Sequence, residues 1–301
     1  MLPGIVRHTF ILRRPTLEEA SLSDSGEIDM ITKRERAVLF LLSRKKSLTR
    51  MQLVKLMFLA STEHQLYDFV PYRYGPFSFQ LSHDLRHLER EGYLTQAGDR
   101  VLFTERAFPE PDPSIQKGIA SVLSRFGEFQ EKDLLDYVYR QYPETTIFSR
   151  IRRMETYYRD EIGMATIGYE GKNIDRFLSI LVENKISRLI DVRKNPISMK
   201  YGYSKSQLVH ALEKLGISYL HLPGLGIDGS RRKNLTDEGY AELFRRYARE
   251  LGNKEDLLDI IASHAETEKV ALMCFEAHPE DCHRGLIAQR FRDEGLDVID
   301  L

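Results

Sequence analysis

The chain has 301 residues, a length that suggests two domains at about 100–200 residues each. Hydrophobic residues make up 42% and charged residues 30%, which excludes wholesale disorder. Lys plus Arg (44) and Asp plus Glu (45) nearly cancel, so no global basic charge advertises nucleic acid; two cysteines exclude a disulfide scaffold and suggest a reducing cytoplasm.

Residues 1–30 read as a flexible lead-in, with Pro15 to Asp29 rich in Glu, Ser and Asp and free of sustained periodicity. The start lacks the long apolar stretch and small-residue cleavage site of a signal peptide. The longest apolar runs fall short of the roughly 18–20 residues that cross a bilayer, so no membrane partner is expected. From Ile31 a helical period begins, with Ala37, Val38, Leu41 and Leu42 on one face. Thr49 stands as an N-cap with Gln52 three residues on, ahead of Leu53, Leu56, Met57 and Ala60. Tyr74-Gly75-Pro76-Phe77 breaks the chain. A third helix follows with Phe79, Leu81, Leu85 and Leu88 inward, stopped at Glu91-Gly92. Tyr93–Gln96 and Arg100–Thr104 flank Ala97-Gly98-Asp99 as a hairpin. Three helices and a hairpin are the order of a winged helix, assigned to residues 31–110. Helices at about 113–126 and 130–141 make 111–163 a helical connector.

The pattern changes near Met164. Short β-branched runs at Ala165–Gly168, Arg188–Val192, Ile217–Leu222, Val270–Cys274 and Leu296–Ile299 alternate with helices, two of them capped by Ser204 and Thr236. This grammar predicts an α/β domain over 164–301: a mostly parallel sheet with helices on both faces, preceded by a mainly α winged-helix-like domain. No internal repeat is found. Residues 31–110 carry 13 Lys/Arg against 9 Asp/Glu, and residues 164–301 carry 20 against 22, so the first half is the basic one.

In an open parallel sheet, ligands bind beyond the carboxyl ends of the strands. The first strand delivers Tyr169 and Glu170 there. The second delivers Asp191, Arg193, Ser198, Lys200 and Tyr201, and the third His221, Gly224-Leu225-Gly226 and Arg231-Arg232-Lys233. The fourth delivers Cys274, Glu276 and His278, and the following helix opens with Cys282-His283-Arg284. Tyr169, Glu170, Arg193, His221, Glu276 and Arg284 are expected around one pocket. Arg193, Arg284 and the 231–233 run are placed to grip phosphate, and Tyr169, Tyr201 and Tyr203 to stack on a base. Glu170 and Glu276 are candidate acid–base residues.

The segments Thr166–Gly171, Asp191–Ser198, Tyr219–Gly226 and Cys274-Phe-Glu-Ala…Cys282-His-Arg284 together resemble the domain-of-unknown-function 488 family over about 164–301. Leu53–Leu59 with Tyr74-Gly-Pro-Phe is similar to Panacea-type antitoxin domains over 31–104. Neither resemblance implies a defined reaction.

Cys282 lies at a helix N-terminus beside His283 and Arg284, where backbone N–H groups and cations lower a thiol toward about 3.5–7.5. The arrangement resembles rhodaneses and Cys-dependent phosphatases, but no Gly-rich cradle follows, so structural packing competes with a catalytic thiol. Cys274, His278, Cys282 and His283 are four N/S groups within ten residues. Their spacing is not that of a zinc site, and adjacent Cys282 and His283 are expected to point apart, so no metal site is assigned. In the first half, Arg73, Arg86, His87 and Arg90 surround the third helix, the groove-reading element of a winged helix.

The leading reading is a nucleic-acid-associated protein whose α/β domain binds, and processes, a nucleotide or phosphate-bearing group. A non-enzymatic binding module and a thiol-dependent transferase centred on Cys282 are the rivals. The sequence identifies no cofactor.

Overall fold

The computed structural model describes residues 31–152, 157–232 and 235–301; the expected lead-in at 1–30 lies outside the described residues. The first unit begins with α1 (Lys33–Lys45), capped by Thr32 and Glu35, then β1 (Ser47–Thr49) and α2 (Arg50–His64), capped by the expected Thr49–Gln52 box. A short hairpin, β2 (Val70–Tyr72) and β3 (Gly75–Phe77), occupies the region read only as a chain break. Gly75 takes φ +82°, which its place in this hairpin requires. Next come α3 (Phe79–Arg90), β4 (Leu94–Ala97), β5 (Arg100–Phe103), α4 (Pro113–Phe126) and α5 (Glu131–Gln141). β1 joins the β4–β5 hairpin in a three-stranded antiparallel sheet of order β1-β5-β4.

The first-half core is a single cluster. Val38, Leu41, Leu53, Leu56, Leu81, Leu85 and Leu88 pack with Ile115, Ile119, Val122, Leu134 and Val138. The segment expected as a helical connector thus contributes its two helices to the same core as the preceding residues.

The second unit holds β6 (Gly163–Gly168), α6 (Ile174–Glu183), β7 (Arg188–Asp191), α7 (Lys205–Lys214), β8 (Ser218–His221), α8 (Asp237–Leu251), α9 (Glu255–Ala265), β9 (Lys269–Cys274), α10 (His283–Asp293) and β10 (Val298–Asp300). All five strands are parallel, in the order β10-β6-β9-β7-β8. Alternate side chains divide between two cores, as period-2 strands require. Ala165, Ile167, Leu189, Ala271 and Met273 face α6 and α7. Met164, Ile190, Val270 and Leu272 face α8, α9 and α10. The fold is α/β with helices on both faces, preceded by a mainly helical region. Thr236 caps α8 as expected. Ser204 stands before α7 without a cap bond, and its hydroxyl instead donates to Ser198 O at 3.0 Å.

The two units meet through one buried carboxylate. Asp175, on the first turn of α6, accepts from Ser78 Oγ (2.7 Å) and from the backbone N–H groups of Phe79 (2.7 Å) and Gln80 (2.9 Å). These are orphan donors at the start of α3, so a residue of the second unit completes a helix of the first. Around it, Asn173 Nδ2 donates to Asp68 (2.6 Å), Ser179 to Phe69 O (3.1 Å), and the Tyr201 ring stacks on His83.

Two measurements test this packing. Asp175→Ala strands three donors and should cost about 3 kcal/mol in urea unfolding, against about 1 for Ser78→Ala; a loss below about 1 for Asp175→Ala would show that the seam does not need the carboxylate. Lys55, buried beneath the β2–β3 hairpin, donates to Tyr74 O (2.5 Å) and Pro76 O (3.2 Å), and burial pulls its amine down to about 7. Between that value and its ordinary 10.5 the unfolded chain binds the extra proton, so this group makes stability rise with pH across that window. Lys55→Met should remove up to about 1.4 kcal/mol per pH unit of that slope. Identical slopes in the two proteins would count against a neutral Lys55.

Candidate functional site

Every strand of the five-stranded sheet points the same way, so the four strand-to-helix connections, after β6, β7, β8 and β9, open at one edge. The loops after neighbouring β6 and β9 leave toward opposite faces, α6 on one side and α10 on the other, which opens a crevice between them. A cleft of about 210 Å³ lies there, lined by Tyr169, Arg193, Asn195, Cys274, Phe275 and His283 among others. Gly168 admits this geometry, because a Cβ there would collide with the Glu276 carbonyl oxygen.

The segment Asp191–Arg193 organises the edge. Asp191 is fully buried at the end of β7. Its carboxylate takes Arg193 Nε at 2.9 Å and Nη2 at 2.6 Å, and Tyr219 Oη donates to it at 2.7 Å. Arg193 Nη1 donates to Tyr169 Oη (3.1 Å) and Nη2 also to Tyr203 O (3.0 Å). Despite burial, the bond to Asp191 holds the guanidinium above its ordinary value, so it stays charged. The same carboxylate, after burial, pushes the Tyr219 phenol up. The peptide groups here are engaged too: His221 Nε2 reaches Arg193 O (2.9 Å) and His283 Nε2 reaches Val192 O (3.0 Å).

Of the six residues expected around one pocket, only Tyr169 and Arg193 line the cleft. Glu170 and Glu276 do share the edge. Glu170 N donates to Phe275 O (2.8 Å), and its exposed carboxylate accepts from Ala277 N (3.0 Å). His221 instead braces the Arg193 carbonyl. Ser198 ties its own loop, its backbone N–H donating to Ser204 Oγ (3.1 Å). Arg284 is buried and gives its two terminal nitrogens to the carbonyls of Glu276 (2.5 Å) and Ala277 (2.9 Å). Neither Arg193 nor Arg284 is an open phosphate grip: Asp191, Tyr169 and the Tyr203 carbonyl engage Arg193, and Arg284 is buried with both terminal nitrogens on carbonyls and its Nε without a partner among the described residues. Tyr169 and Tyr203 stack on each other in the interior and offer no open face, and half-buried Tyr201 stacks on His83. Arg231 pairs with Glu250 at 3.0 Å; the Arg232 side chain and Lys233 lie outside the described residues.

Two half-buried lysines stand at the edge: Lys200, read there from the sequence, and Lys172, which was passed over. Lys172 Nζ donates to Gly168 O (3.0 Å) and Lys200 Nζ to Tyr169 O (3.2 Å). Burial, then Arg284 and Arg176, lower the first. Burial lowers the second, Glu170 opposes, and Lys172 adds to the fall. The loops beside them expose Ile197 (79%), Met199 (103%) and Phe275 (44%).

The larger departure from the sequence reading lies beneath the cleft. Cys282 and His283 do not point apart: Cys282 Sγ is 3.8 Å from His283 Nδ1, and Cys274 Sγ is also 3.8 Å from it. All three residues are buried, with their ligand atoms within 4.8 Å of one another; His278 is not among them. The extended N-cap conformation of Cys282 turns its thiol back under the sheet while His283 begins α10. The hydrogen bond with Cys282, reinforced by burial, pushes the Cys274 thiol up. Burial opposes ionisation of Cys282, but its contacts with Cys274 and His283 outweigh it and bring that thiol down.

On the first unit, Arg73, Arg86 and Arg90 are exposed. His87 is not available as expected, since its Nδ1 lies 2.5 Å from the buried Glu35 carboxylate. Sequence reasoning missed Lys214 of α7, which spreads over Phe77 and Phe79 and is lowered by burial, then by Arg73 and Arg86. Its helical spacing gave no sign of this, because its neighbours come from the other unit.

A family described as "Domain of unknown function DUF488" matches residues 173–291. The match runs from the cap of α6 through most of α10 and contains Asp191, Arg193, Cys274, Cys282 and His283. Among curated proteins, none matches this chain.

Replacing Arg193 by Leu would leave Asp191 buried without its cation. Urea unfolding should show a loss of about 3–5 kcal/mol. A loss under about 1 would mean that water reaches Asp191 and that the pair is not the brace of the edge.

Proposed function

We propose that the protein is nucleic-acid-associated, binding a polyanion along the seam between its two units and holding a phosphate-bearing group at the carboxyl edge of the parallel sheet. The observation that carries this reading is the cationic strip at the seam. Lys214 of the second unit lies over Phe77 and Phe79 of the first, and burial, then the nearby Arg73 and Arg86, lower its amine. Burial and repulsion of this kind are costly unless an anion completes the set. Arg90 extends the strip along α3, and Tyr74, 51% exposed, follows Arg73 with a ring for stacking.

The order α1, α2, α3 and the β4–β5 hairpin, with β1 closing the sheet, supports a winged-helix-like reading of the first unit. The start of α3 is capped by Asp175 and covered by Tyr201, and that is the end a recognition helix turns toward bases. Contact is therefore with phosphates, without base readout. The loop bearing Lys200 and Tyr201 joins the seam to the sheet edge, where Lys172 and Lys200 wait beside exposed Ile197, Met199 and Phe275. A purely binding role is favoured over Glu170/Glu276 chemistry by one observation: Arg193 and Arg284 are spent on the protein's own groups.

Fluorescence anisotropy across a salt series tests this reading. The wild-type chain should bind duplex DNA with a falling log–log slope, and Arg73→Ala/Arg86→Ala should flatten that slope by about 1.8 while leaving the exposed sites folded. Absence of binding at low salt, or an unaltered slope, would refute it.

A further inference from the structure

We propose that Cys274 Sγ, Cys282 Sγ and His283 Nδ1 form a site for a thiophilic divalent cation, zinc, whose fourth position opens on the cleft beside Tyr169 and Arg193. The inference is independent of the seam and of any polyanion bound there.

Three observations carry it. The first is geometry. Ligands around a tetrahedral zinc, with Zn–S near 2.3 Å and Zn–N near 2.0 Å, stand roughly 3.5–3.8 Å from one another. Nδ1 lies 3.8 Å from each sulfur, and all three ligand atoms fall within 4.8 Å of one another. The second is the orientation of the imidazole. Val192 O only accepts, so His283 Nε2 at 3.0 Å carries the hydrogen and Nδ1 turns its lone pair toward the sulfurs. A ligating histidine is fixed by the same kind of bond from its other nitrogen to a backbone carbonyl. The Tyr247 ring packs edge-on against the imidazole at 5.6 Å and holds its plane. The third is access. Cys274 and His283 line the cleft and Cys282 lies behind them, so three protein ligands leave one position facing solvent or substrate. That is the pattern of zinc sites with an exchangeable water, whereas closed structural sites use four protein ligands.

The donor set selects the ion. Two sulfurs and an imidazole suit zinc and exclude magnesium and calcium, which take oxygen ligands. Two thiolates also cancel the charge of the cation, which lowers the cost of burying it, and binding releases the thiol protons to solvent. Arg193 does not oppose the ion, because Asp191 already neutralises it.

The experiment uses the full chain, reduced and stripped with a chelator, then titrated with cobalt and afterwards zinc. A single cobalt ion per chain should produce thiolate-to-metal charge-transfer absorption, and zinc should abolish it. Zinc should also protect both cysteines of the wild-type chain from iodoacetamide, read by mass spectrometry, a result that needs no variant to fold. Cys282→Ser and His283→Gln, where folded by circular dichroism, should lose more than about 100-fold in zinc affinity, beyond the effect of removing an outer partner. A reduced, folded wild-type chain that shows neither charge transfer nor protection at micromolar metal would overturn the proposal. So would full zinc affinity in Cys282→Ser, or thiols that prove to be joined in a disulfide that persists in reductant.

Discussion

The buried pair of Asp191 and Arg193 is the constraint on which the sheet edge depends. Burying a carboxylate at the end of a sheet strand costs more than one Coulomb contact returns, so such a pair persists only if its other lone pairs and protons are also satisfied. Tyr219 takes the remaining side of the carboxylate, and Tyr169 and Tyr203 O take the rest of the guanidinium. These partners come from the loop after β6, the lead into α7, and β8. Satisfying one ion pair therefore fixes three connections relative to β7. The peptide groups of the same short segment hold His221 and His283. An error in the position of Asp191 would be felt at the thiols.

The second constraint is the seam. A helix N-terminus needs acceptors for its first N–H groups, and α3 finds them partly in its own Ser78 and partly in Asp175 of the other unit. The first unit's Val70 and Phe79 also enter the core formed by α6 and α7. The two units are thus coupled both by polar completion and by shared apolar packing. This coupling brings Lys214 against Arg73 and Arg86, and it covers the end of α3 that a free winged helix would present to a duplex.

At the edge itself, cations and carbonyls set each other's roles. Beyond a strand end the carbonyls of Gly168, Tyr169, Glu276 and Ala277 lack ladder partners, and Lys172, Lys200 and Arg284 supply them. The two terminal nitrogens of Arg284 are consumed in this way, whereas the half-buried lysines keep capacity to meet an anion. The two thiols and the imidazole sit one layer deeper, where water is scarce and soft ligands are most effective.

Much of the architecture was legible in the sequence because it rests on local rules. Thr49–Gln52 and Thr236 cap the helices that they were read to cap, and the alternation of short β-branched runs with amphipathic helices yields the parallel α/β sheet and its two apolar faces. The sheet's polarity alone placed Tyr169, Glu170, Arg193, Glu276 and Cys274 at one end. What the sequence did not disclose is which of these groups face a cleft and which face each other. Arg193 pairs with Asp191 two residues away, a contact of bent backbone that no helical or strand period encodes. Cys282 and His283 converge on Cys274 only because the chain turns from an extended N-cap into α10, so adjacent side chains share a side. Asp175 meets Ser78 across 97 positions. Local propensity determined the elements, while the pairing of buried polar groups was decided by packing, because only in the folded interior does an unpaired donor or charge cost enough to choose its partner.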